Sequence, residues 1–118
     1  MKVQIENVGG EVVKDNETYT LTDNNYLEHL TLSQTVLKPG QSTRGHLHEN
    51  QEEVYIFTSG HAIMQIDDVE HEASGGDTFL IKAGEFHRVK NTNPDEFCFF
   101  TCVFEKYDRQ GEDAIYKK

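Results

Sequence analysis

No apolar run in these 118 residues approaches the roughly 18 that a membrane-spanning helix needs. That excludes a transmembrane helix. Basic residues are scarce as well: 11 Lys and Arg stand against 21 Asp and Glu, for a formal net charge of −10. Such a surface repels phosphate backbones and anionic membranes, and no basic stripe relieves it, so neither nucleic acid nor membrane is an expected partner. The opening residues MKVQIENVGG lack the apolar stretch of a secretory signal, and a cytoplasmic location is expected. Cysteine is limited to Cys98 and Cys102, inside the run FCFFTCVF. On a strand they share a face about 13 Å apart, beyond disulfide reach. Reduced, buried thiols are therefore expected.

Also missing are low-complexity tracts, linkers, repeats and any sustained 3.6-residue periodicity. One domain over residues 1–118 is expected, with its barrel at roughly 26–104, N-terminal strands within 1–22 and a charged tail at 105–118. A domain of this size buries roughly two-thirds of its unfolded surface. The hydrophobic share is only 36% and the mean hydropathy −0.67, a thin core that a second copy of the chain would complete.

Short alternating segments carry the structure. Residues 1–5, 12–13 and 18–22 read as strands, with Gly9-Gly10 breaking the first and Asp23-Asn24-Asn25 as a turn. Residues 26–37 place Leu30, Leu32, Gln34 and Val36 on one strand face and His29, Thr31, Ser33 and Thr35 on the other. Pro39-Gly40 ends that strand. Further strands are predicted at 54–58, 62–66, 69–73, 78–81, 86–89 and 96–104, each bounded by Gly, Asp, Asn or Pro. The tail reads as a frayed end or a short helix. About nine or ten short strands with frequent turn signals predict an all-β sandwich or barrel.

His46 and His48 lie one residue apart, so on a strand they point the same way with Cα atoms about 6.5–7 Å apart. From there two imidazoles reach one ion at about 2.1 Å. Glu53 follows five residues later, after the chain reverses through Glu49-Asn50-Gln51, and begins the neighbouring strand. His87 comes from a distant strand. Three imidazoles and a carboxylate, with positions left open, suit one divalent transition metal per chain: Mn²⁺, Fe²⁺, Co²⁺, Ni²⁺ or Zn²⁺. His29, His61 and His71 have no matching partner and read as ordinary histidines.

These residues resemble a known family. Gly40-x5-His46-x-His48-x4-Glu53-x6-Gly60 looks like the first motif of the cupin superfamily, and Gly76-x7-Gly84-x2-His87-x3-Asn91 like the second. Lys82 stands where the second motif usually has proline. The resemblance implies a small antiparallel jelly-roll-like β-barrel (a double-stranded β-helix), metal ligands His46, His48, Glu53 and His87, and a homodimer. The stretches around Arg44-Gly45, Glu52–Tyr55 and Phe104–Tyr107 are similar to those of nucleotide-sugar and sugar-phosphate isomerase cupins.

Function has to come from pocket residues, because the fold hosts many activities. Arg44, two residues before His46, is a candidate to grip a phosphate or carboxylate. Gln34, Tyr55 and Phe57 are candidates to line the cavity, and Cys102 or Cys98 could look into it. The leading expectation is a metal-dependent isomerase or epimerase of a sugar or sugar phosphate, acting on a small-molecule ligand such as an anionic sugar. Its gap is the general base, since Glu53 is a poor one while bound to metal and only Tyr55 offers itself. An Fe-dependent dioxygenase and a non-catalytic binding or sensing protein are the alternatives.

Overall fold

The strands follow the alternation of the sequence. The computed structural model describes residues 1–107 and 114–116. Eleven strands are described: β1 (Glu11–Asp15), β2 (Tyr19–Asn24), β3 (Leu30–Leu37), β4 (His46–His48), β5 (Glu53–Ser59), β6 (His61–Ile66), β7 (Val69–Ser74), β8 (Thr78–Ile81), β9 (His87–Lys90), β10 (Cys98–Glu105) and β11 (Ala114–Tyr116). The described residues include no helix, and so none long and apolar enough to cross a membrane. A six-stranded sheet runs β1-β2-β3-β10-β5-β8, and a five-stranded sheet runs β11-β4-β9-β6-β7. Every pairing is antiparallel. The fold is the expected all-β jelly roll.

The inner face of the six-stranded sheet grades from polar to apolar along β3 and β5. On β5, Glu53 and Tyr55 give way to Phe57, and on β3, Thr31, Ser33 and Thr35 give way to Leu37; β10 between them is apolar throughout, with Phe104, Cys102, Phe100 and Cys98. The register sets Cys102 opposite both Ser33 and Tyr55, and Phe100 opposite Thr35 and Phe57. The apolar end meets Ala62, Met64 and Val89 of the other sheet, and Leu37, Met64 and Cys98 are fully buried there. Burial pushes the Cys98 thiol up to about 11. Cys98 and Cys102 are buried and not joined in a disulfide, as their spacing required.

Several local expectations need correction. Residues 1–5 are not a strand; Gln4 and Asn7 only close a tight loop on each other. The segment crosses the outer face of the six-stranded sheet, where side chains rather than a ladder hold it. Thr101 Oγ1 donates to the Ile5 carbonyl (2.7 Å), Gln34 Nε2 to the Glu6 carbonyl (2.6 Å) and Asn24 Nδ2 to the Val8 carbonyl (2.7 Å). Gln34 therefore faces away from the barrel interior, and its burial is explained by these partners. β2 also runs on through Asp23 and Asn24. The turn begins after them because Asn24 Oδ1 accepts from the Tyr26 amide at 2.9 Å. The tail holds a strand rather than a frayed end or helix: Ala114–Tyr116 pairs with β4, whose edge is otherwise open. The rest of that expectation, 108–113 and 117–118, lies outside the described residues.

Replacing Gln34 by Ala strands the Glu6 carbonyl and the Val8 amide. The expected cost is about 1–3 kcal/mol, read by urea denaturation, with faster amide exchange confined to the N-terminal eight or so residues.

Candidate metal centre

Backbone pairing delivers two of the histidines together. His46 on β4 is in register with His87 on β9, and their ring centroids lie 4.4 Å apart. His48 shares the inner side of β4, with its ring 5.0 Å from His46. Glu53 opens β5, which belongs to the other sheet and is not bonded to β4. The expected neighbouring strand is thus a facing one. Residues 49–52 carry the chain from sheet to sheet, and Glu53 meets the histidines across the interior.

Glu53 Oε1 lies 2.7 Å from His48 Nε2, 3.7 Å from His87 Nε2 and 3.9 Å from His46 Nε2. Ligand atoms of His46, Glu53 and His87 all fall within 4.8 Å of one another. His48 falls outside that triad but touches its carboxylate. The carboxylate is 6% exposed, His48 2% and His87 1%. Burial pushes the Glu53 carboxyl up, but the three histidine contacts outweigh it and hold the group well below the usual carboxylate range. Burial pulls His46 below its ordinary value, partly offset by Glu53.

These residues fit a metal. His48 Nε2 and His87 Nε2 are buried without a hydrogen-bond partner; at 2.7 Å the His48–Glu53 contact lacks in-line donor geometry. Buried polar atoms are rarely left so. His87 Nδ1–H donates to the Glu85 carbonyl at 2.9 Å, which fixes the tautomer and turns the Nε2 lone pair toward Glu53. His46 Nδ1 makes a longer contact, 3.5 Å, with the Arg44 carbonyl. Nitrogen and carboxylate donors of this kind suit a borderline divalent ion.

Packing sets the approach to the ligands. A Cβ on Gly45 would lie 1.9 Å from the Phe86 ring, so only glycine lets the chain enter β4 beneath that ring. Thr43 is held to β9 by its amide on the Val89 carbonyl (2.8 Å) and by Val89 N–H on its hydroxyl (2.9 Å). Lys82, the departure from the second motif, donates its amide to Glu85 Oε1 at 2.7 Å. A proline there has no amide to give, and this bond closes the turn that presents His87. Asn91, the last motif position, is buried and donates to the Glu96 carbonyl at 2.8 Å.

A cavity of about 110 Å³ opens onto His46 and Glu53. Arg44 and Tyr55 line it as expected, whereas Gln34 and Phe57 do not. Phe57 is a core side chain, with its ring 5.3 Å from Phe100 and 5.7 Å from Phe79. Of the two cysteines Cys102 lines it and Cys98 does not, and residues not singled out from the sequence, Lys14, Tyr19, Ser33, Thr35, Thr43 and Tyr107 among them, make up much of the wall. The polar face of β3 was the available signal, because Ser33 and Thr35 alternate toward the interior. His29, His61 and His71 are exposed.

A cupin domain profile matches residues 33–104. The chain belongs to the cupin family. An uncharacterized protein of Methanocaldococcus jannaschii is 24% identical over 85 residues, 72% of this chain and 68% of that one. A sugar phosphate isomerase of the cupin superfamily from Silicibacter pomeroyi superimposes with TM-score 0.70 at 23% identity, over 77% of this cupin and 61% of its own chain. The polyketide cyclase RemF from Streptomyces resistomycificus gives TM-score 0.71 at 23% identity, over 89% and 78%. At such identities the structural likeness is one of fold.

In the metal-free protein both shifts run in the same direction. His46 is depressed on folding, so its contribution is present above about pH 6.5 and is lost as pH falls through the folded value. Glu53 is also depressed, and its contribution is lost below about pH 4. The melting temperature of chelated protein is expected to fall from pH 7.5 to 5 and again below about 4, and His46→Gln removes the first limb. A flat profile from pH 7.5 to 5 would contradict this.

Proposed function

We propose that this cupin holds one divalent transition metal on His46, His48, Glu53 and His87, and isomerises or epimerises a small sugar or sugar phosphate. The observation that carries the reading is the cavity: it ends on His46 and Glu53, and the hydroxyl-bearing residues Tyr19, Ser33, Thr35 and Tyr55 are among those that line it. That is a surface for a polyhydroxylated molecule of a few carbons. The fold-level likeness to a sugar phosphate isomerase supports it. When bound, the ion supplies a Lewis-acid charge that polarises a carbonyl or hydroxyl oxygen. The wall hydroxyls orient the substrate, and the apolar layer of Phe100 and Phe104 excludes water from its far side.

Glu53 is committed to the histidines. The proton beside the carbonyl therefore falls to Tyr55, whose ring stacks on Phe100 at 5.5 Å and stands edge-on to His87 at 5.4 Å. We assign Tyr55 the transfer of that proton between adjacent carbons. The outer face of β5 and β8 carries Leu80, 74% exposed, in register with Val54. We assign this apolar strip to a second copy of the chain, as a homodimer. Two cysteine thiols without a disulfide fit a cytoplasmic location.

Deuterium from solvent should enter the carbon beside the carbonyl of an aldose phosphate when the protein carries Mn²⁺, Fe²⁺, Co²⁺, Ni²⁺ or Zn²⁺. Tyr55→Phe should slow that exchange by about 100-fold or more while metal content is unchanged. Ligand binding with no exchange under any metal would leave a binding protein, and oxygen uptake by the iron form alone would favour a dioxygenase.

A further inference from the structure

The register of β1 against β2 is broken between Val12 and Lys14. Val12 pairs with Thr22 and Lys14 with Leu21, so Val13 is the extra residue of a β-bulge. In an unbroken ladder Val13 would oppose Leu21 and share its inward side. The bulge hands that place to Lys14, and both Lys14 and Leu21 line the cavity, while Val13 is 43% exposed. Bulges re-aim side chains in this way beside functional sites. Here the effect is to put an ammonium where a valine would otherwise stand.

Arg44 enters the same cavity from the segment leading into β4. Lys14 and Arg44 are exposed and stand at its mouth, whereas Glu53 is buried at its floor. These three are the only Lys, Arg, Asp or Glu residues in the described wall, and Glu53 is taken up by the histidines. A chain of net charge −10 thus lines one small cavity with two cations. Two cations lining one cavity, one from β1 and one from the segment before β4, concentrate positive potential where a ligand enters, and a guanidinium adds a fork matched to carboxylate or phosphate oxygens.

We propose that Lys14 and Arg44 form an anion subsite at the cavity mouth, so that the ligand carries a phosphate or carboxylate on the end away from the histidines. This rests on the reading of the cavity as a site for a small hydroxylated ligand, but its test reads binding and needs no turnover. The probes are inorganic phosphate, glucose, glucose 6-phosphate and glucuronate, titrated calorimetrically into the metal-loaded protein at low salt. At least one anionic sugar should bind about tenfold or more tighter than glucose, with the advantage shrinking as salt is raised. Preference for glucose 6-phosphate identifies a phosphate, and preference for glucuronate a carboxylate. Lys14→Gln and Arg44→Gln should each erase most of that advantage and weaken inorganic phosphate.

A double variant, Val13→Lys with Lys14→Val, keeps the net charge and moves the cation off the inward position. It should behave as Lys14→Gln does. Wild-type affinity in the double variant, anions binding no better than glucose, or no binding of any anion would each overturn the proposal. Loss of deuterium exchange with the anion preference intact would instead fault the isomerase reading alone.

Discussion

The constraint on which the structure turns is the Glu53 carboxylate, buried among three imidazoles. Moving a carboxylate out of water costs several kcal/mol unless charge or hydrogen bonds replace the lost solvent. The histidine contacts supply only part of that, and His48 Nε2 and His87 Nε2 have no hydrogen-bond partner. A divalent cation would satisfy the carboxylate and the nitrogens at once. The cluster makes physical sense as a coordination set and poor sense as a packed core.

The two sheets exist in a form that serves this cluster. The five-stranded sheet supplies the histidines through the His46–His87 register, and the six-stranded sheet supplies the carboxylate from across the interior. Gly45 under Phe86 and the Lys82–Glu85 turn set the two approaches. Along β3 and β5 the inward residues change from hydroxyl and carboxylate to aromatic and aliphatic, so one end of the barrel is a solid core and the other a cavity. The polar end needs no apolar filling, which is how a chain with a 36% hydrophobic share closes a barrel.

The clustering of His46, His48, Glu53 and His87 and most strands were legible because period-2 alternation, glycine turns and histidine spacing are local signals. Glu53 does lie beside the histidines, but on a facing strand and not a neighbouring one, since sequence spacing does not say whether a short loop makes a hairpin or crosses between sheets. Gln34 was misread for a related reason. A buried amide on a strand announces a partner, yet that partner was the N-terminal segment 28 residues away. Lys14 was invisible, because a bulge shifts the inward side by one residue and Val13 offers no glycine or proline to mark it. The tail strand β11 needed the open edge of β4, a fact of topology.

The most direct test of the account is elemental analysis of protein purified without chelator, beside a His46→Ala/His48→Ala double variant. About one transition metal per chain is expected in the native protein, restored by reloading after chelation, and none retained by the variant. No metal in the native protein even after reloading, or the same metal content in the variant, would contradict it.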